Sequence, residues 1–357
     1  MTGRLLSLIT CCTLTMTIRA ESPEFYRASP HRRLTFPLDH APHHGFKTEW
    51  WYYTGHLISQ AGSRFGFQFT IFKIERRPNP TGAQDDRTIY MLHSALTDET
   101  GKRFLQTERI QRAMPGLANW NPGTNELYVA ENTLTIQGNR HRIKTRIQGI
   151  KLELDLVTQI GPVLQGSSGY SRKGFNDGNA SHYFSEIDLA GSARITENGI
   201  ISELKAAAWM DHEFASNALA KDQVGWDWFH LSLGDGRRLM LFRVRSDSGK
   251  PFLSGTIFNP DGAATHLSPE SISMKELRLW KSPNGAVYPV EWKLGFPDCE
   301  ISLRPWLDYQ EIRPPTSRIS YWEGAVEARV KCNSIPEQQA QGYMELTGYK
   351  DSMRSRF

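Results

Sequence analysis

The sequence predicts an all-β protein made of two antiparallel sheet domains. Three observations carry that expectation. Short segments of alternating apolar residues recur along the chain, separated by Gly, Pro, Asn and Asp, which is the pattern of half-buried strands joined by turns. Amphipathic helical windows are scarce, which favours a sandwich or barrel over strands that alternate with helices. A weak internal repeat is also visible. Glu49-Trp50-Trp51-Tyr52-Tyr53 with Leu57 aligns with Gly225-Trp226-Asp227-Trp228-Phe229 with Leu233, and a turn and an apolar strand follow each. A chain of 357 residues has two domains as its default, at roughly 100–200 residues per domain.

Phe36 to Leu57, FPLDHAPHHGFKTEWWYYTGHL, opens the first domain. Pro37, Pro42 and Gly45 make its first half a loop, and its ring-rich half reads as a strand. On that strand Trp50 and Tyr52 share one face, and Trp51 and Tyr53 share the other. Such rings either plug a core or wall a ligand pocket. Arg64 to Glu75 alternates strictly through Phe65, Phe67, Phe69 and Ile71, and Thr88 to Asp98 is a further strand that contains His93. Arg103 to Arg112 reads as a helix, the one such window in this half. Met114 to Asn125, with two Pro and two Gly, reads as loop.

Short strands follow at Glu126 to Ala130, Asn132 to Gln137, His141 to Gln148 and Ile150 to Leu156. Pro162 to Gly178 is rich in Gly and Ser and reads as a linker or a pocket-edge loop. Strands resume at Tyr183 to Ile187 and Arg194 to Ile195, and Ile200 to Trp209 runs into Trp209-Met210-Asp211-His212-Glu213. Beyond it, Gly225 to Leu233, Leu239 to Arg245, Gly255 to Asn259 and Ile272 to Trp280 read as strands. So do Val290 to Leu294, Cys299 to Arg304, Tyr321 to Val330 and Gly342 to Thr347.

Composition narrows the class. The net charge is +4, with Lys and Arg dispersed rather than clustered, so no nucleic-acid partner is expected. Arg4, the apolar stretch Leu5 to Ile18 and Ala20 read as a secretory signal over residues 1–20, followed by a leader over 21–33. The expected location is therefore periplasmic or secreted. Lipoprotein anchoring at Cys11 is the less favoured variant, because Thr10 suits a lipoprotein box poorly. Cys299 and Cys332 remain in the mature chain. One pair in an exported protein fits a disulfide, and two buried free thiols are the alternative.

The blocks FPLDHAPHHGFKTEWWYYTGHL, WMDHEFAS, GWDWFHLSL, YWEGAVE and GYMELTGY run from Phe36 to Tyr349. They resemble the signature blocks of the AttH-like, carotenoid 1,2-hydratase-related family. The resemblance implies two lipocalin-like β-barrel domains, placed here at 34–190 and 191–357. It also implies two kinds of function. The first is a hydratase or isomerase acting on an isoprenoid or lipid-like substrate. The second is an exported, non-catalytic carrier of a hydrophobic small molecule, or an accessory protein that meets the membrane components of an ABC export system.

Hydration of an isolated alkene needs an acid that is still protonated near neutral pH, and ring faces to stabilise a cation. Asp211 is the candidate acid, and hydratase relatives place their proposed acid comparably. On a strand it shares a face with Trp209 and Glu213, while His212 points away. Glu213 would couple to it as a second carboxyl group, and His212 completes the candidate catalytic set. Alternatively, the two carboxylates bind backbone amides and fix a loop. Trp50, Tyr52, Trp226, Asp227 and Trp228 are the expected pocket walls, with His40, Glu49 and His93 as polar contributors. His40, His43 and His44 with Glu49 carry zinc-type ligand chemistry, but at the spacing of no known zinc site, so neither metal nor cofactor is expected. Ser167, Ser168 and Ser171 lie in no nucleophile elbow.

Overall fold

The computed structural model describes residues 24–78, 87–247, 249–333 and 335–355, so the expected signal lies outside the described residues. The chain is all-β. Its first sheet begins with β1 (Thr48–Ser59), β2 (Arg64–Glu75), β3 (Thr88–Asp98) and β4 (Arg103–Arg112). It continues with β5 (Ala118–Asn121), β6 (Glu126–Val129), β7 (Asn132–Gln137), β8 (Arg140–Ile147) and β9 (Ile150–Val157). β10 (Val163–Leu164), β11 (Tyr170–Arg172), β12 (Ala180–Glu197) and β13 (Ile200–Ala215) complete it. The strand order is β4-β3-β2-β1-β13-β12-β9-β8-β7-β6-β5, with β10 and β11 paired to β12.

The second sheet holds β14 (Gln223–Leu233), β15 (Arg238–Ser246), β16 (Phe252–Phe258), β17 (Ala264–Leu267) and β18 (Ser273–Lys281). It also holds β19 (Val287–Phe296), β20 (Cys299–Pro305), β21 (Glu311–Ile312), β22 (Tyr321–Cys332) and β23 (Ile335–Leu346). Its order is β17-β16-β15-β14-β23-β22-β20-β19-β18, with β21 on β22. A disulfide joins Cys299 of β20 to Cys332 of β22.

Three observations correct the reading from sequence. Arg103–Arg112 is a strand paired along its length with β3, not a helix. It lies at the sheet edge with most residues half-buried, so it carries no clean apolar face for alternation to reveal. Tyr183 to Ile187 and Arg194 to Ile195 belong to one long strand, β12. The chain changes sheet between Ala215 and Gln223, not at 190/191, because β13 pairs with β1.

Each sheet curls around its own apolar core. Trp51, Tyr53, Phe67, Phe69, Leu92 and Leu152 fill the first. Phe229, Trp292, Trp322, Met344 and Leu346 fill the second. A third cluster, including Tyr52, Tyr183, Trp209, Trp228, Phe242 and Tyr343, draws on both sheets. Strands β1 and β14, the second half of β13 and the last residues of β23 are therefore buried on both faces. Polar contacts cross the same seam: Tyr52 Oη donates to Glu323 Oε1 at 2.8 Å, and Thr97 Oγ1 donates to Gln310 Oε1 at 2.7 Å.

The seam leaves little room at Gly66, where a Cβ atom would lie 2.7 Å from both Ala325 Cβ and Tyr343 Oη. Gly66→Val should lower stability by about 1–3 kcal/mol, the usual cost of overpacking. The midpoint of urea unfolding checks this, and an unchanged midpoint would contradict the close approach of the sheets.

Candidate active site

An aromatic-lined cleft opens at the seam, between the two barrels. In the β1–β13 register Trp50 faces Glu213 and Tyr52 faces Asp211, while Glu49 faces Phe214 and Trp51 faces His212. Strand alternation then sends two sets of side chains in opposite directions. Trp50, Tyr52, Asp211 and Glu213 line the cleft from the first sheet. Trp226 and Trp228 of β14, Phe242 of β15 and Glu345 of β23 line it from the second. Tyr183 of β12 and Lys173, from the loop before β12, close it. The space between these walls, including its open mouth, is about 740 Å³.

Asp211 is 3% exposed. Its Oδ1 accepts hydrogen bonds from Ser185 Oγ at 2.5 Å and Trp209 Nε1 at 2.7 Å. Gln165 Nε2 holds Ser185 Oγ in turn, at 2.8 Å. Burial pushes Asp211 up to about 7, and nearby Glu213 adds to the rise. The donors Ser185, Trp209 and Tyr183 oppose it.

Two further carboxyl groups come from the second sheet. Burial pushes Glu345 up to about 7 against the indole of Trp226, whose Nε1 donates to Oε2 at 2.6 Å. Burial and the neighbouring Glu345 raise Glu323 well above the usual carboxylate range, although the Tyr52 hydroxyl holds it down in part. On the first sheet Glu213 pairs with the Lys173 ammonium at 3.0 Å.

Not every expected residue reaches this cleft. His212 and Glu49 point into the first barrel, where His212 Nε2 meets Glu49 Oε1 at 2.8 Å. His43 bridges Glu49 and Asp39 through Nδ1 (2.7 Å) and Nε2 (2.8 Å). Burial lowers His43, but the two carboxylates outweigh it and the group is raised. Although the ligand atoms of His43, Glu49 and His212 lie within 4.8 Å of one another, Glu49 is already bonded by both rings and has Lys73 Nζ at 3.6 Å. The group is a salt-bridge network of this barrel.

His40 lies in the same barrel, 3.5 Å from Glu186, and burial drives it down to about 3. His93 bonds Tyr321 and Glu108 elsewhere along the seam. Asp227 turns away from its neighbours Trp226 and Trp228 and binds Arg243, Arg245 and Tyr349. These five residues were expected in the site, and strand alternation or distance keeps them out of it. Trp209 belongs there through its bond to Asp211.

Sequence reasoning missed Glu345, Tyr183, Lys173 and Ser185 as site residues. Glu345 sits in GYMELTGY, a block noted only for resemblance, and the alternation of β23 could have flagged it.

The family model of AttH-like proteins matches residues 27–349. A crystal structure of an AttH protein from Nitrosomonas europaea is similar at 30% identity and a TM-score of 0.81, covering 91% of this chain and 99% of that one. Kievitone hydratase from Nectria haematococca shares the fold at 14% identity and a TM-score of 0.71, over 92% of this chain and 98% of its own. No curated protein matches the chain.

Asp211 has a stability signature. Its folded value is raised from 3.8 to about 7, so its contribution is full below 3.8 and is lost as pH rises through about 7. Asn cannot ionise and escapes that loss. Asp211→Asn should therefore be more stable than wild type at pH 8, by roughly 2–4 kcal/mol, and close to wild type at pH 4. Urea unfolding at the two pH values checks it; equal stability at pH 8 would contradict a desolvated Asp211.

Proposed function

This chain belongs to the AttH-like family, and from that footing we propose that its inter-sheet cleft binds an apolar or amphipathic small molecule of isoprenoid or lipid-like type. Asp211 protonates a carbon–carbon double bond in it, as a hydratase or isomerase would. One observation carries the reading: a carboxyl group held near 7 by burial, on the wall of an aromatic cleft. A group so placed is still largely protonated at neutral pH, as a general acid must be.

The alkene π electrons take the Asp211 proton, leaving a carboxylate and a carbocation at the more substituted carbon. The ring faces of Trp50, Trp226 and Trp228 lie where they can stabilise that cation. Water then adds to the cation and returns a proton to a carboxylate, giving an alcohol. Loss of a proton from a neighbouring carbon instead gives an isomerised alkene. Either outcome leaves the acid restored. Supporting this, a hydratase shares the fold. The Cys299–Cys332 disulfide supports an exported protein, since such bonds persist in oxidising compartments.

Native mass spectrometry of the purified protein identifies any bound small molecule, and turnover of that compound tests the acid. Asp211→Asn should lower the rate by about 10²–10⁴-fold, the usual worth of a positioned acid, with ligand still bound. Wild-type activity should fall as pH rises through about 7, because the proton to be donated is then lost. Undiminished turnover in the variant would sink the assignment. A ligand that wild type holds but never converts would leave a carrier.

A further inference from the structure

The cleft has a marked imbalance of charge-bearing groups. Asp211, Glu213 and Glu345 line it, and Lys173 is the only basic side chain among the described residues that do. Glu323 stands behind Tyr52, 1% exposed, and its Oε2 has no hydrogen-bond partner among the described residues. The remaining wall is largely aromatic, and ring faces carry negative potential.

The structure also shows what this surface does with a cation. The Lys173 ammonium lies 4.6 Å from the ring centroid of Tyr183 and 4.5 Å from that of Phe242. It is 3.0 Å from Glu213 Oε1. One tethered ammonium is thus already held between two rings and a carboxylate, on a loop residue at the edge of the cleft. Trp50, Trp226 and Trp228 offer further ring surface beside Asp211 and Glu345.

We propose that the cleft selects by charge: it takes amphiphiles that carry or develop a positive charge beside Asp211, Glu213 and Glu345, and it rejects amphiphilic anions. This deepens the reading of the cleft as a small-molecule site and rests on it. An anionic head group would find one lysine, already paired with Glu213, and could not share the cleft with an ionised Asp211 or Glu345 without the cost of buried like charges. A neutral substrate that becomes a carbocation, or a ligand with an ammonium head, meets rings and carboxyl groups instead. Lys173 then acts as an internal competitor that a cationic ligand displaces from Glu213.

The test uses the full chain and three probes of one tail length, each below its micelle concentration: decyltrimethylammonium, decanoate and decanol. Binding is read by calorimetry and by tryptophan fluorescence at neutral pH. Decyltrimethylammonium should bind at one site, at least about tenfold tighter than decanoate. Glu345→Gln should weaken the ammonium by about tenfold. Lys173→Met should tighten it by removing the competitor, so the two variants move in opposite directions and misfolding cannot mimic both. Decanoate binding as tightly as the ammonium would overturn the inference, and so would an ammonium affinity that Lys173→Met lowers or leaves unchanged. Decanol binding without ammonium binding overturns charge selection but leaves an apolar site. Failure of all three probes to bind overturns both.

Discussion

The pairing of β1 with β13 is the constraint on which the rest of this structure depends. It sets Tyr52 opposite Asp211 and Trp50 opposite Glu213. Because strand side chains alternate, the same pairing sends Glu49, Trp51 and His212 the other way. A slip of one residue would exchange the two sets. The register therefore decides at once which carboxyl groups meet the second sheet and which stay inside the first barrel. The second sheet completes the arrangement by covering the outer face with Trp228, Phe242 and Tyr343, which withdraws Asp211 from water.

The inner face shows how the fold holds that register. Glu49 is fully buried. Burial would raise it, but His43, His212 and Lys73 hold it well below the usual carboxylate range. An unpaired buried charge would be strongly destabilising, and the bonds from His43 and His212 offset that cost for Glu49. His43 also ties the network to Asp39, and Asp39 to Arg32, so the segment before β1 is anchored to the same point. Two carboxyl groups on neighbouring strands thus meet opposite fates. Glu49 is held ionised by His43, His212 and Lys73, while burial and nearby Glu213 raise Asp211 against its hydrogen-bond donors.

Much of this was legible in the sequence, and what was not has a physical reason. The all-β class followed from alternation, and the opposite faces of Trp50 and Trp51, and of Asp211 and His212, followed from a period of two. The grouping of Trp226, Asp227 and Trp228 ignored that same period, and Asp227 accordingly turns into the second barrel. Alternation does not tell which outer face a second sheet will cover. Glu345, Tyr183 and Lys173 enter the cleft from distant parts of the chain, so no local pattern joins them to Asp211. Arg103–Arg112 misled because Leu105, Gln106 and Glu108 suit a helix, while pairing with β3 overrides that weak preference. Phe104 packs toward Ile312 and Tyr321 of the second sheet, a contact that propensity cannot anticipate.

The central claim is that the seam between the sheets makes Asp211 an acid of nearly neutral strength. Infrared difference spectroscopy on protein carrying 13C-labelled aspartate tests it most directly, with the Asp211→Asn variant subtracted to remove the other aspartates and Glu345 left silent. A protonated carboxyl band that titrates near pH 7 and is missing from the variant is the predicted result. A band lost near 3.8, the ordinary aspartate value, would show that the cleft does not desolvate the group, and the account of the site would fail with it.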